Sequence, residues 1–337
     1  MRLWVIGLGT VGRWLLRALL SRETLASRYG FTPAVVGVAN ARDGFVYRED
    51  GLDVPTLLEL TSRGRPLTEH PGVRHWSTAL EGLAATEADV LVEVTPSPSV
   101  DGEPGYAHMR EALGRRIPVV TSNKWPVALY GVELAELARN GEVEFRAEST
   151  VMSGTPVLST LVEGLAGARP IGLRGILNAT ANFIVTEMSR GTSYEDALAE
   201  AQRAGLAESD PAADVEGHDA MAKTMILAAL VFGRQLRPEQ VARRGITDIA
   251  QEVGEAASGS GQVRLVGMLD LDGGLGARVE PVLLRRGDPL ASIEGATNAV
   301  VCRVEPVGEV TIIGPGAGPG LAGQGVLSDL IAVARRI

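Results

Sequence analysis

The stretch Asp210-Pro-Ala-Ala-Asp214-Val-Glu-Gly217-His-Asp219-Ala-Met-Ala-Lys223 gathers residue types that could do chemistry: three aspartates, a glycine and a lysine within fourteen positions. Asp219 and Lys223 are four apart, so on a helix they share one face. A carboxylate and an amine held side by side suit the binding of a small amino acid and the movement of a proton. On an open surface the same pair would be an ordinary ion pair contributing roughly a few tenths of a kcal/mol. The setting argues for more. The following run Met225-Ile-Leu-Ala-Ala-Leu-Val is apolar on nearly all sides, which implies burial, and Asp219 falls in the first turn, where the helix dipole favours its charge. His218 reads as a helix-start residue. The four histidines form no cluster with metal-ligand spacing, which argues against a catalytic zinc.

A second chemical signal lies at the other end of the chain. Gly7-Leu-Gly9-Thr10-Val11-Gly12 follows an apolar strand and opens a helix. Glycines so placed permit a tight turn, close backbone approach to a pyrophosphate and helix–strand packing, and the helix N-terminus then favours the phosphates. The next strand ends Val38-Ala-Asn40-Ala-Arg42-Asp43. Asn40 stands where NAD-specific folds often carry an acidic residue, and Arg42 suits a 2′-phosphate. NADP is therefore favoured, with NAD still open because Asp43 could reach a ribose. Thr95-Pro-Ser97-Pro-Ser99 and Thr121-Ser-Asn-Lys124 each follow a strand. Thr95 fits a nicotinamide-ribose contact or an ordinary surface loop, and Lys124 is aimed at the ligand cleft. Glu148-Ser-Thr-Val151-Met-Ser153-Gly-Thr155-Pro156 reads as a hinge that could also cradle a monovalent cation with its carbonyls.

The elements that must hold these residues are legible as alternating patterns. Strands at Leu3–Ile6, Ala34–Ala39, Val90–Thr95, Ile117–Thr121 and Val143–Arg146 alternate with helices at Val11–Ser21, Pro55–Thr61, Gly105–Arg115 and Pro126–Asn140. That alternation predicts a mostly parallel sheet of the Rossmann type over residues 1–147, with ligands beyond the carboxyl ends of its strands. From 148 to 313 the expectation is an α+β domain with a mixed or antiparallel sheet. Its elements are a helix over Ser153–Leu165, a strand at Leu173–Leu177, helices at Asn182–Arg190, Ser193–Ala204 and Gly217–Phe232, and a strand-rich region from Arg278 to Ile313. The glycine-rich segment 314–323 predicts turns, and Val326–Arg336 a helix that returns to the first domain.

Composition narrows the classes. The chain has 337 residues, 45% of them hydrophobic, enough for about two packed domains. A net charge of −9 argues against a general nucleic-acid binder. The single cysteine, Cys302, cannot form an internal disulfide, which fits a reducing compartment. The chain opens on a strand-like run, not a signal peptide, and its most apolar later run is far short of the roughly 20 residues a membrane span needs. A cytoplasmic protein with no membrane partner is the expectation.

The pattern Ala201-x-x-x-Gly205-Leu206-Ala207-x-x-Asp210-Pro211-x-x-Asp214-Val215-x-Gly217-x-Asp219-x-x-x-Lys223 resembles, at every position, the signature of the homoserine dehydrogenase family. Supporting pieces run in order across nearly the whole chain: Gly7-x-Gly9-x-x-Gly12, Ser122-Asn123-Lys124, Glu148-Ser-Thr-Val151, Gly175-Ile-Leu-Asn178-Ala-Thr-Ala-Asn182, Gly316-Ala-Gly318 and Val326-Leu-Ser-Asp329. The resemblance implies nicotinamide-dependent interconversion of L-homoserine and L-aspartate 4-semialdehyde, on the path to threonine and methionine. It makes Lys223 the acid/base or relay lysine and places Lys124 between cofactor and substrate. It assigns Glu208 and Asp219, with Asp214 and Gly205, to the amino-acid substrate, and Thr95 and Gly325 to the nicotinamide end. It further implies a sodium or potassium ion on carbonyls near Glu148, Val151, Ser153 and Thr155, and a homodimer through the middle domain. Met152 and Ser153 depart from glycines common in the family, the tail Leu321-Ala-Gly-Gln324 departs from its usual form, and the length leaves no room for the regulatory domain of longer members. Two other readings compete. A dehydrogenase for a dicarboxylic amino acid would need cations for the second carboxylate, against an acidic Glu208–Asp214–Asp219 set, and a cofactor-binding sensor would have no use for the two lysines.

Overall fold

The run Arg2-Leu-Trp-Val-Ile6 has no polar face, as befits a strand covered on both sides. In a computed structural model, which describes residues 1–259, 261–271, 276–318 and 320–336, it forms β1 (Arg2–Ile6). Leu3 and Val5 pack on one side with Leu15, Leu16 and Leu330, and Trp4 and Ile6 on the other with Met109, Leu113 and Leu134. The other strands of this sheet are β2 (Ala34–Asn40), β3 (Gly44–Tyr47), β4 (Arg74–Trp76), β5 (Val90–Glu93), β6 (Val119–Thr121) and β7 (Phe145–Arg146). Their order is β4-β3-β2-β1-β5-β6-β7, with β3 antiparallel to both its neighbours and the remaining pairs parallel. Ile6 stands opposite Ala39 on one flank and Glu93 on the other. The glycine turn, Asn40 and Thr95 therefore leave the sheet at one edge, where the strand order reverses.

The chain divides into two compact units, Met1–Gly154 with Pro319–Ile337, and Thr155–Gly318. The first division falls beyond the expected 147 because the turn of helix Ser149–Met152 packs on the C-terminal helix Leu321–Ala334 within the first unit. That C-terminal helix contributes Val326, Leu330 and Val333 to the core around β1. It lies so close to helix Thr10–Ala18 that a Cβ at Gly320 or Gly323 would strike the Trp14 ring. Pro319, within the expected turn segment, is outside the described residues.

The second unit is built on β8 (Arg169–Ile176), β9 (Val241–Arg243), β10 (Gly261–Asp270), β11 (Gly276–Arg285), β12 (Thr297–Glu305) and β13 (Gly308–Pro315), in the order β13-β12-β8-β10-β11-β9. All pairs are antiparallel except β9 with β11, so the sheet is mixed, as expected for an α+β domain. Helices Ala179–Ser189, His218–Phe232 and Ala250–Ser258 contact it. A Cβ at Gly267 on β10 would meet the Thr224 hydroxyl, so the long helix lies directly on the strand. Leu290 and Ile293, from the β11–β12 connection, pack with Ile176, Val266 and Val301.

The continuous helix expected over Ser153–Leu165 is not formed. Ser153 has φ +53°, Gly154 and Pro156 follow, and helical structure resumes only at Leu158, running into a π-helical turn at Thr160–Gly164. Proline cannot supply the N–H a helix interior needs, and a positive φ cannot be helical. Among the described residues there is no helix long and apolar enough to cross a membrane.

Gly37 on β2 gives a direct test of packing. Its Cβ position lies 2.6 Å from both Phe45 Cζ and Trp4 Cδ1, in the buried layer where those rings meet. Gly37→Ala overpacks that layer and is expected to lower stability by about 1–3 kcal/mol, read as a lower urea midpoint with unchanged slope.

Candidate active site

A cleft of about 700 Å³ lies over the carboxyl ends of β1, β2 and β5, lined by Gly7, Gly9, Arg13, Asn40, Arg42 and Thr95 among others. Its glycines divide the work. Gly7 has φ +105°, and a Cβ there would lie 2.7 Å from the Val94 carbonyl carbon. A Cβ at Gly12 would run into the Gly7 carbonyl oxygen, whereas Gly9 faces open space. Gly7 and Gly12 thus permit the strand–turn–helix packing, and Gly9 keeps the approach clear to the N-terminus of helix Thr10–Ala18. The first-turn amides of Thr10 and Val11 have no intrahelical acceptor, which is the arrangement that binds phosphate. The cradle fits a dinucleotide.

At the end of β2 the Asn40 side chain organises the turn. Its Oδ1 accepts from the backbone N–H groups of Arg42 and Asp43, at 2.9 and 2.6 Å, and its Nδ2 donates to Asp43 Oδ2 at 2.8 Å. The Arg42 guanidinium donates to both oxygens of Asp43 and to the carbonyls of Gly64 and Arg65. Held by Arg42 first and Asn40 second, the Asp43 carboxyl lies below the usual carboxylate range. Its oxygens are thus engaged by this turn, while the arginine side chain remains 57% exposed.

The second unit holds the acidic and basic groups of the Asp210–Lys223 stretch. Asn178 caps helix Ala179–Ser189, its Oδ1 accepting from Ala181 N at 2.7 Å. That fixes its Nδ2 toward two carboxylates, Asp214 Oδ1 at 2.7 Å and Asp219 Oδ2 at 3.0 Å. Lys223 is 7% exposed, and its Nζ donates to Asp219 Oδ2 at 2.8 Å and to the Leu177 carbonyl at 2.7 Å. Both acceptors favour the ammonium form. Gly217, at φ +82°, starts the helix that carries Asp219 and Lys223. His218 is half-exposed and faces Glu216, 3.2 Å away. An amine buried between a fixed carboxylate and a backbone carbonyl can recognise an amino acid's charged groups and hand over a proton.

A glycine cradle for a dinucleotide in one unit and a lysine–carboxylate cluster in the other describe an amino-acid dehydrogenase, and the comparisons specify which. A profile described as homoserine dehydrogenase matches residues 156–331. A NAD(+)-dependent homoserine dehydrogenase of Pseudomonas canavaninivorans is 39% identical over 336 residues, covering 98% of this chain and 96% of that protein. This chain belongs to the homoserine dehydrogenase family. A homoserine dehydrogenase of Methanocaldococcus jannaschii is 34% identical over 331 residues, covering 98% of this chain and 97% of that one. A hyperthermophilic archaeal homoserine dehydrogenase solved in complex with NADPH superposes with a TM-score of 0.82 at 31% identity, covering 100% of this chain and 98% of that one. The homoserine dehydrogenase described here is an NAD(P)-dependent oxidoreductase that interconverts L-homoserine and L-aspartate 4-semialdehyde in amino-acid biosynthesis.

The remaining expected residues of this homoserine dehydrogenase fall in several places. Lys124 is the first residue of helix Lys124–Gly141, directly after β6. Glu148 and Val151 are buried in and beside the turn Ser149–Met152, where Glu148 N donates to Asp329 Oδ2 at 3.0 Å and Ser149 Oγ to the Ala322 carbonyl at 2.6 Å. Gly325 joins them, since a Cβ there would strike Ser149 Oγ and the Ser153 carbonyl. Ser153, with φ +53° and ψ −105°, occupies a conformation suited to glycine, the residue expected there from the family pattern. Thr155 begins the second unit, its hydroxyl 3.2 Å from the Pro315 carbonyl. Gly205 ends helix Tyr194–Arg203 at φ +71°. Glu208 lies exposed beyond it, and among the described residues its carboxylate has no hydrogen bond or ion pair. Asp219 is thus brought together with Asp214 and Lys223, but not with Glu208.

Two residues escaped the reading of the sequence as site components, Asn178 and Glu93. Each carried a signal. Asn before Ala-Thr-Ala is a strong N-cap, and Glu93 is a charge in the otherwise apolar run Val90–Val94 of a fully buried strand. Asn178→Ala removes both a cap and two hydrogen bonds to carboxylates, so it is expected to cost about 2–4 kcal/mol, whereas the exposed cap Ser193→Ala costs about 1 kcal/mol. Urea midpoints of the two variants measured side by side check the difference.

Proposed function

We propose that Lys223 is the proton donor for semialdehyde reduction, with Asp219 holding its charge and Asn178 holding Asp219. The observation that carries this is the buried Lys223 Nζ between Asp219 Oδ2 at 2.8 Å and the Leu177 carbonyl at 2.7 Å. Reduced nicotinamide, when bound, supplies the hydride to the aldehyde carbon. The Lys223 ammonium gives its proton to the aldehyde oxygen, and homoserine leaves with both. Asp214, Asp219 and Glu208 receive the substrate ammonium, Glu208 swinging from the exposed loop after Gly205. In the oxidative direction the hydroxyl proton needs a neutral amine. A carboxylate at hydrogen-bond distance opposes that state of Lys223, so Lys124, at the carboxyl end of β6, is the second group to test. Comparing Lys223→Ala with Lys124→Ala in both directions separates the roles. Lys223→Ala is expected to lower semialdehyde reduction by about 10²–10⁴-fold, the usual range for a lost general acid. If its turnover and pH profile stay near normal, the acid assignment is wrong.

NADP(H) is the favoured cofactor, with NAD(H) accepted. Asp43, whose oxygens are engaged by Arg42 and Asn40, is poorly placed to accept ribose hydroxyls, while the exposed Arg42 can meet a 2′-phosphate. Arg42→Ala should lower kcat/KM for NADPH by about 10–100-fold and leave NADH within about threefold. Equal losses for the two cofactors would remove Arg42 as the discriminator.

A sodium or potassium ion on carbonyls of the segment Glu148, Val151, Ser153 and Thr155 completes the proposal. The second unit also serves as the homodimer contact, a reading supported by the exposed side chain of Ile313 on β13.

A further inference from the structure

Glu93 and His108 form a buried ionisable pair that the reaction does not use directly. Glu93 ends β5, is 0% exposed, and its Oε2 lies 2.7 Å from Nδ1 of the equally enclosed His108 on helix Gly105–Gly114. Its Oε1 accepts from the Thr95 backbone N–H at 2.8 Å and from the Thr95 hydroxyl. Asn123 Nδ2 donates to Thr95 Oγ1 at 3.3 Å, engaging one of its lone pairs, and to Ser97 Oγ at 2.8 Å. The carboxylate is therefore clamped at both oxygens, and Thr95 is clamped by its backbone. Thr95 and His108 both line the cofactor cleft. Because Asn40 and Arg42 mark the adenosine side over β2, the nicotinamide half falls on the opposite flank of β1, over β5.

We propose that Glu93, held by His108, fixes the Thr95 hydroxyl as a hydrogen-bond acceptor for the carboxamide NH₂ of the nicotinamide, making Thr95 the residue that reads that group. A threonine hydroxyl has one proton and two lone pairs. A carboxylate can only accept, so the proton of Thr95 Oγ1 points at Glu93. What remains for a ligand is a lone pair, and only a donor can meet it. The carboxamide NH₂ is such a donor, while its carbonyl end would set two acceptors face to face. Glu93 and His108 act through Thr95 and are positioning residues. The inference rests on the reading that the nicotinamide lies at Thr95.

The test uses the whole enzyme and equilibrium binding of three ligands: NADPH, its 3-acetylpyridine analogue, in which a methyl replaces the carboxamide NH₂, and 2′-phospho-ADP-ribose, which lacks the ring. The unaltered enzyme should bind NADPH about tenfold more tightly than the analogue. Thr95→Val and Glu93→Leu should bring the two within about twofold, since leucine offers the threonine proton no acceptor. Glu93→Gln, whose Oε1 still accepts from the Thr95 hydroxyl, should keep the preference. His108→Leu should lose it, and His108→Gln, still able to donate to Glu93, should keep it. Phospho-ADP-ribose should bind all of them alike. If Thr95→Val loses the preference and Glu93→Leu keeps it, the positioning role is overturned while the placement of the nicotinamide stands. If Thr95→Val keeps it, that placement fails and the proposal with it. Equal weakening of phospho-ADP-ribose by Glu93→Leu would make Glu93 a support of the fold alone. Should Glu93→Leu not fold, Thr95→Val and the two His108 variants decide the matter.

Discussion

A charge taken out of water must be met by partners fixed in advance, and the chemistry of the second unit depends on how that requirement is satisfied around Lys223. Neither Asp219 nor the Leu177 carbonyl alone would hold a buried ammonium in one place. Asn178 supplies the missing constraint. Its oxygen caps a helix, which leaves its nitrogen no choice but to face Asp214 and Asp219. Two carboxylates that would repel each other are thereby bridged by a neutral donor. The helix start, the acid pair and the lysine form one hydrogen-bonded object, so that a change in any member alters the protonation and position of the rest.

The first unit meets a parallel requirement with backbone. β1 is buried on both faces, its turn is closed by glycines that allow the chain to touch itself, and the open side of that turn faces the helix N-terminus. Glu93, on the neighbouring strand, brings a carboxylate into this apolar layer, where it is enclosed by His108, Thr95 and Asn123. In both units a side chain at the end of a strand or the start of a helix fixes the orientation of a second polar group, Thr95 in one and Asp219 in the other.

Much of this was legible beforehand, and the exceptions have physical causes. β1, β2, β5 and β6 announced themselves as apolar runs followed by glycine, asparagine or hydroxyl residues, because parallel strands buried on both faces leave no room for polar alternation. The Asp219–Lys223 spacing was equally readable, being set by one helix. β3 and β4 were not, since four- and three-residue antiparallel strands carry too little pattern to distinguish them from loop. The helix expected over Ser153–Leu165 failed because its apolar periodicity outweighed, on paper, what Ser153, Gly154 and Pro156 do to the backbone. From the sequence, Asn178 reads only as part of a supporting motif and Glu93 only as a strand residue. Their partners lie far along the chain, at Asp214 and Asp219 for one and at His108 and Asn123 for the other, and no local pattern records a meeting of that kind.

The C-terminal helix Leu321–Ala334 closes the core around β1, with Val326, Leu330 and Val333 set among residues from the first strand and first helix. The order of synthesis then differs from the usual N-terminus-first succession of domains. When the ribosome has completed Gly318, every strand of the second sheet has been made, while the first sheet still presents an unfilled apolar strip. The second unit, whose chain lies between the two parts of the first, can reach its native state first. The first unit must wait for helix Leu321–Ala334.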